Sequence, residues 1–264
     1  MHMRTKKWAR PELDACPFYV NGGEENRGRW RSRFSSPDRP LHLELGCGKG
    51  VSTARMIADN PEINYIACDM SPDVLGTARR NLVSACGENV TNAMLLRTDI
   101  CFISRVFGPE DQAERIYIHF CNPWTEHPKH AKRRLTHPRQ LMQYRAFLRP
   151  GGEIWFKTDD DTLFEDSRVY LDLCGFEPVY LTYDLHRSGF QPNYVSEHEA
   201  KFSALGMPIR FGIFRMKAEA PDFDPTRYRL TPGIRSDTLE RLDRQFREKD
   251  PEGWRMKAEG SGAE

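Results

Sequence analysis

From Leu41 onward the chain alternates short apolar runs with longer amphipathic stretches. Leu41–Leu45, Tyr65–Cys68, Ala93–Leu96, Ile116–Phe120, Ile154–Phe156 and Val179–Leu181 have the length and residue types of strands, and the segments between them carry helical spacing. Strands that alternate with helices in this way predict a parallel sheet with crossover helices. One more run, Ile209–Met216, follows a turn at Gly206 and Pro208 and is apolar at alternate positions. It is expected to lie antiparallel beside the Val179 strand.

The helix starts carry their own signals. Ser71-Pro72-Asp73 offers a capping hydroxyl, a first-turn proline and an acid ahead of Val74, Leu75, Ala78 and Leu82, with Gly87 to end the helix. Thr136-His137-Pro138 opens a second helix, and Thr162 with Glu165 at capping-box spacing opens a third, closed by Gly175. Residues 1–39 are rich in Arg, Lys, Gly, Pro and Ser without an apolar period, and read as a basic arm laid over a main domain of residues 40–217. Residues 218–264 read as a charged tail with one amphipathic helix, Ser236–Lys249, whose stripe is Leu239, Leu242 and Phe246.

Composition narrows the class. The 39 Lys and Arg nearly balance 38 Asp and Glu, so any attraction to a polyanion has to be local. Seven cysteines without a CxxC pair fit neither a disulfide framework nor a zinc site, which points to a reducing, cytoplasmic setting and no metal. No apolar run approaches bilayer length, so no membrane association is expected.

The most informative chemistry follows the first strand. Glu44-Leu45 runs into Gly46-Cys47-Gly48-Lys49-Gly50 and then a helix, leaving three glycines where a side chain would keep a ligand from the backbone. The spacing G-x-G-x-G differs from the G-x-G-x-x-G of dinucleotide binders. S-adenosylmethionine has no phosphate and carries an ammonium and a sulfonium, for which an acid such as Glu44 is a sensible partner. Asp69 ends the second strand, where it could accept from ribose hydroxyls, and Asp99 ends the third, where it could accept from an adenine amine. Each acid alone could equally be a helix cap or a solvated loop residue. Three at successive strand ends favour one shared crevice.

The fourth strand ends in Cys121-Asn122-Pro123-Trp124, followed by Lys129, Lys132, Arg133 and Arg134 with only Glu126 to offset them. That run suits phosphate contacts, although most charge runs are solvated faces. Together these segments resemble the bacterial tRNA (guanine-N7)-methyltransferases over roughly residues 41–213. The resemblance rests on Glu44-Leu45-Gly46-Cys47-Gly48-Lys49-Gly50, Asn-Pro-Trp with His130-x-Lys132-Arg133-Arg134-Leu135-Thr136, Gly151-Gly152 with Lys157-Thr158-Asp159, and Ser196-Glu197-His198-Glu199-Ala200-Lys201-Phe202. It implies an α/β, Rossmann-like S-adenosylmethionine-dependent methyltransferase with a mostly parallel, doubly wound sheet and an antiparallel last strand. It further implies Glu44, Gly46, Gly48, Asp69, Asp99 and Asn122 at the cofactor, and Asp159, Ser196 and Glu199 on guanine. Lys132, Arg133 and Arg134 would take tRNA phosphates, with the modified guanosine in the variable loop.

The chain departs from the family pattern in three places. Asn122 stands where most members have Asp, Thr125-Glu126 replaces Pro-Lys, and Ser196-x-x-Glu199 replaces Thr-x-x-Glu, a spacing that is also a capping box. Guanine N7 has an in-plane lone pair and no proton, so its methylation needs no general base, and Asn122 is expected to serve as a positioning residue in catalysis. The alternatives are a methyltransferase for another RNA site or a small molecule, and a tRNA-binding relative with impaired catalysis. A monomer and a homodimer are both compatible with the sequence.

Overall fold

In the computed structural model, which describes residues 5–124, 127–225 and 231–261, the apolar runs assemble into one eight-stranded sheet. Its strands are β1 (Tyr19–Asn21), β2 (Leu41–Leu45), β3 (Asn64–Asp69), β4 (Ala93–Arg97), β5 (Ala113–His119), β6 (Leu148–Thr158), β7 (Phe176–Thr182) and β8 (Arg210–Met216). They lie in the order β1-β4-β3-β2-β5-β6-β8-β7. Paired neighbours run parallel except at β8, which is antiparallel to β7, as expected, and to β6 as well. All five residues of β2 are buried, the requirement for a central parallel strand covered on both faces.

The helices are α1 (Ala9–Asp14), α2 (Val51–Asp59), α3 (Pro72–Cys86), α4 (Pro138–Phe147), α5 (Asp161–Leu173), α6 (Glu197–Ala204), α7 (Pro232–Lys249) and α8 (Pro251–Ser261). Successive strand residues point to opposite faces. Ile66 and Cys68 of β3 join the apolar cluster that includes Leu141, Tyr144 and Phe147 of α4 and Phe164 of α5. Tyr65 and Ala67 join the cluster formed with α1, α2 and α3. Gly50, at φ 68°, opens α2 close against α3: an added Cβ would stand 2.9 Å from Cβ of Ala78.

Several local signals resolve differently from the sequence reading. Pro72 and Gly87 bound α3 as expected, but Ser71 makes no side-chain cap. The cap of α4 is His137, whose Nδ1 accepts from the Arg139 N–H, while Thr136 is buried and hydrogen-bonded to Ser167. The cap of α5 is Asp160, which accepts from the Leu163 N–H, and Glu165 instead meets Arg168 and Tyr183. A carboxylate placed two residues ahead, at the N-cap itself, outcompetes the hydroxyl of Thr162 for the free N–H groups.

The N-terminal segment is more than an arm laid over the domain. It supplies α1, packed on α3, and β1, paired with β4. Trp30 is fully buried, stacks on Phe107 and donates from Nε1 to the Val106 carbonyl at 2.8 Å. Asp111, equally buried, accepts from the N–H groups of Gly28, Trp30 and Gly108. Arg31, one of the arm's basic residues, is occupied by the carbonyls of Arg39, Asp111 and Gln112 and by Glu114. Arg4, another of them, lies outside the described residues. The tail folds as two helices, not one. α7 packs against α5 and α8 against β7, with Leu242 and Phe246 buried and Leu239 partly covered.

Replacing Trp30 with Ala removes a fully buried indole and its hydrogen bond, so unfolding free energy is expected to fall by about 3–5 kcal/mol. Urea titration of the two proteins checks this; a loss below about 1 kcal/mol, as for a surface residue, would mean the segment is only laid over the domain.

Candidate functional site

The carboxyl ends of β2, β3 and β4 carry the three acids. Neighbouring strands are about 4.8 Å apart, so the acids succeed one another along one edge of the sheet. Glu44 is 4% exposed, and its Oε2 accepts from the Thr53 hydroxyl at 2.5 Å. Burial is the main reason its carboxyl is pushed up to about 7, with Asp69 adding to the rise and Thr53 and Lys157 opposing it. Within ion-pair distance of Glu44 stands His119, at 3.7 Å, which burial holds well below the usual histidine range and therefore neutral.

Asp69 closes the glycine loop from the next strand. Its Oδ2 accepts from the Gly48 N–H at 3.2 Å and its Oδ1 from the Ser71 N–H at 2.9 Å. Burial raises this carboxyl too, and those backbone donors oppose the rise. Gly46 and Gly48 have φ of 85° and 56°, in the left-handed region, and a Cβ on Gly48 would meet no atom within 4 Å. The loop therefore borders open space. The buried carboxyl of Glu44 and the half-buried one of Asp69 beside it have no Lys or Arg within ion-pair distance among the described residues, so the lining suits a ligand with positive charge.

Glu44, Gly46, Gly48, His119 and the turn Ser196–His198 line one cleft of about 180 Å³. Asp99 does not share it. Its Oδ1 caps the short helical turn that follows, accepting from the Cys101 N–H at 2.9 Å, and it lines a neighbouring cleft with Asn21, Arg97 and Phe102. Glu44 and Asp99 thus line different clefts, and Asp69 ends the strand between theirs.

The opposite wall comes from β6 and α6. Asp159, just past β6, meets His198 at 3.2 Å, and His198 stacks on Phe202 with ring centroids 4.3 Å apart. Ser196 caps α6 by accepting from the Glu199 N–H. Glu199 itself faces inward with no exposed surface, and its carboxylate is held by Lys157 (3.3 Å), Asn193 (2.8 Å) and His186 (3.2 Å). Glu199, expected on guanine, is thus buried in this structure and pairs with Lys157. Lys49 of the glycine loop pairs with Glu197 at 2.7 Å, joining the two walls at the surface.

Asn122 is exposed, and its Oδ1 accepts from the Trp124 N–H at 3.1 Å, which leaves its amide donors without a protein partner among the described residues. Phe120 and Trp124, on either side, have φ of 51° and 48°, so the loop is strained at both ends. Thr125 and Glu126 lie outside the described residues. Of the basic run, Lys132 and Arg133 face solvent, with the Arg133 guanidinium 5.0 Å from the Trp124 ring centroid. Arg134 does not join them. It is 4% exposed and spans from the Pro123 carbonyl to Asp166, at 2.7 Å each, so its guanidinium is engaged within the protein and does not face solvent as those of the expected phosphate-binding run do. His119 and Lys157 were missed as site residues because nothing local separates a strand-end residue lining a cleft from one packed in the core.

Among the described residues no three His, Cys, Asp or Glu side chains gather as a metal set, and no helix is long and apolar enough to cross a membrane.

Comparison with known proteins agrees with this geometry. A family model described as "Putative methyltransferase" matches residues 38–211. A tRNA (guanine-N(7)-)-methyltransferase of Clostridium perfringens is 51% identical over 216 residues, covering 81% of this chain and 98% of that protein. One of Acetivibrio thermocellus is 46% identical over 220 residues, covering 82% and 100%. Among solved structures, one described as an antibiotic-related methyltransferase superposes with a TM-score of 0.53 at 17% identity, covering 77% of this chain and 98% of that one. The 16S rRNA methyltransferase KamB superposes with a TM-score of 0.50 at 11% identity, covering 71% and 90%. At such identities these two speak for the Rossmann-like fold alone. On the sequence relatives, and on the match of the family model to most of the domain, the chain belongs to the tRNA (guanine-N(7)-)-methyltransferase family.

Proposed function

We propose that this protein transfers a methyl group from S-adenosylmethionine to N7 of a guanosine in the variable loop of tRNA. The observation that carries the reading is a pair of carboxyls, Glu44 buried and Asp69 half-buried, beside a glycine loop that borders open space, with no Lys or Arg within ion-pair distance of either among the described residues. Kinship with proteins named for this reaction supplies the substrate.

When bound, the cofactor supplies an electrophilic methyl carbon on a sulfonium. Glu44 would receive the ammonium of its amino acid. Asp69 already accepts two backbone N–H groups, but a carboxylate has about four lone-pair directions and can still accept from ribose hydroxyls. Asp99, in the next cleft, would take the adenine amine. On the facing wall, Asp159 keeps one oxygen on His198 and has the other for guanine N1–H and the exocyclic amine, beside the Ser196 turn. Lys132 and Arg133, exposed next to the Asn122 loop, are placed for phosphates.

Guanine N7 gives up no proton, so the residue nearest the reaction has to position rather than abstract. Asn122 fits that task, because its carbonyl oxygen accepts from the Trp124 N–H while its amide donors have no protein partner among the described residues. Alignment of reacting atoms is worth several kcal/mol in general.

The direct test is transfer of labelled methyl from S-adenosylmethionine to unmodified bacterial tRNA, followed by cleavage specific for N7-methylguanosine. A single cut in the variable loop is expected; incorporation without a cut would place the methyl on another atom. In the same assay Asn122→Ala is expected to lower kcat about tenfold or more. Unchanged turnover with both Michaelis constants intact would remove Asn122 from the reaction. Cofactor binding should weaken as pH falls: with Glu44 near 7 in the free protein, protonation below that pH cancels its attraction for a cation. Calorimetric titrations at pH 8 and pH 6 should differ by roughly tenfold in affinity, and equal affinities would exclude Glu44 as the ammonium's partner.

A further inference from the structure

An ionic chain, buried at Arg134 and Asp166 and half-exposed at Arg235, joins the Asn-Pro-Trp loop to the C-terminal tail. Arg134 donates from Nε to the Pro123 carbonyl and from Nη1 to Asp166 Oδ2, each at 2.7 Å. The other oxygen of Asp166, a residue only 8% exposed, accepts from Nε of Arg235 at 2.6 Å. Arg235 lies in the first turn of α7, beyond residue 211, where the family model ends. One carboxylate on α5 therefore divides its oxygens between a guanidinium that grips the loop and a guanidinium supplied by the tail.

Two features give the arrangement a purpose. The gripped peptide sits between Phe120 and Trp124, both held in a left-handed conformation that side chains disfavour and that lasts only where surrounding contacts impose it. A carboxylate free at one oxygen can rotate to meet Arg134 with both, changing the direction from which the loop is held. Arg235 removes that freedom. The tail does not depend on Arg235 to stay in place: Asp243 of α7 meets buried Arg168 at 2.8 Å, Arg241 pairs with Asp172, and Leu242 and Phe246 are buried.

We infer that Asp166 is a positioning residue for the Asn-Pro-Trp loop and that Arg235 of the tail sets its orientation, so that the tail contributes to methyl transfer through a contact remote from the substrate. The inference rests on the proposed reaction for its effect on rate, but its structural half can be read without it. Hydrogen exchange of the backbone amides from Phe120 to Trp124 should be faster in Arg235→Ala and in Asp166→Asn than in the wild-type protein, and unchanged in Arg241→Ala, which breaks another ion pair of the same helix. At saturating cofactor and tRNA, kcat should fall about three- to tenfold in Arg235→Ala, further in Asp166→Asn, and recover in Arg235→Lys, with the cofactor dissociation constant unchanged. Unchanged exchange in Arg235→Ala, an unchanged kcat, or an equal loss in Arg241→Ala overturns the inference. A wild-type protein that transfers no methyl to tRNA would instead strike the functional reading, while the exchange rates would still decide whether the tail orders the loop.

Discussion

Negative charge buried at the carboxyl edge of a parallel sheet is the constraint around which the working end of this protein is built. Glu44 and Asp69 sit on adjacent strands whose pairing, Glu44 opposite Ala67 and Leu45 opposite Cys68, fixes their relative height. Each is steadied by neutral donors, a threonine hydroxyl for one and backbone N–H groups for the other. Such donors satisfy lone pairs without cancelling charge. The nearest ammonium, Lys157, is committed to Glu199 and Asn193, and the nearest imidazole is neutral. The glycine loop, α6 and the end of β5 thus border a cleft in which Glu44 has no Lys or Arg within ion-pair distance among the described residues.

Arginine shows how context divides one residue type among different tasks. Arg133 and Arg134 are adjacent, yet the first stands over Trp124 at the surface and the second is a buried strut between a carbonyl and a carboxylate. Arg31 and Arg168 are struts of the same kind, one tying the N-terminal segment to β5, the other joining α5 to the tail. A planar guanidinium with several fixed donors can bridge elements in this way, where a lysine would satisfy fewer partners.

Much of this architecture is written locally. Short runs rich in apolar residues gave away the central strands, although β2 reads Leu-His-Leu-Glu-Leu and buries its two polar residues as well, and the run before Met216 is the strand that lies antiparallel to its neighbours. Glu44, the glycines and Asp69 were legible because they follow strands in a fixed order. What escaped was decided at a distance. Tyr19–Asn21 is too short to carry a period, and it is a strand because β4 offers it an edge. Arg134 is buried because Asp166 lies 32 residues further on, and Glu199 turns inward because Lys157 waits there. No property of a three-residue window distinguishes these from their exposed neighbours.

The placement of β1 also bears on how the chain acquires its shape. Tyr19 pairs with Leu95, so the first strand to be synthesised has no partner until the whole of β2, β3 and β4 has followed it. Pairings of such long sequence separation close late, after their loop entropy has been met by other contacts. Until then Trp30 has no Phe107 to stack on and Asp111 has no N–H groups from Gly28 and Trp30 to gather. On a ribosome β1 therefore emerges well before β4 and docks only after it, which leaves the segment around Tyr19–Asn21 exposed to proteases and chaperones for longer than a strand whose partner follows at once.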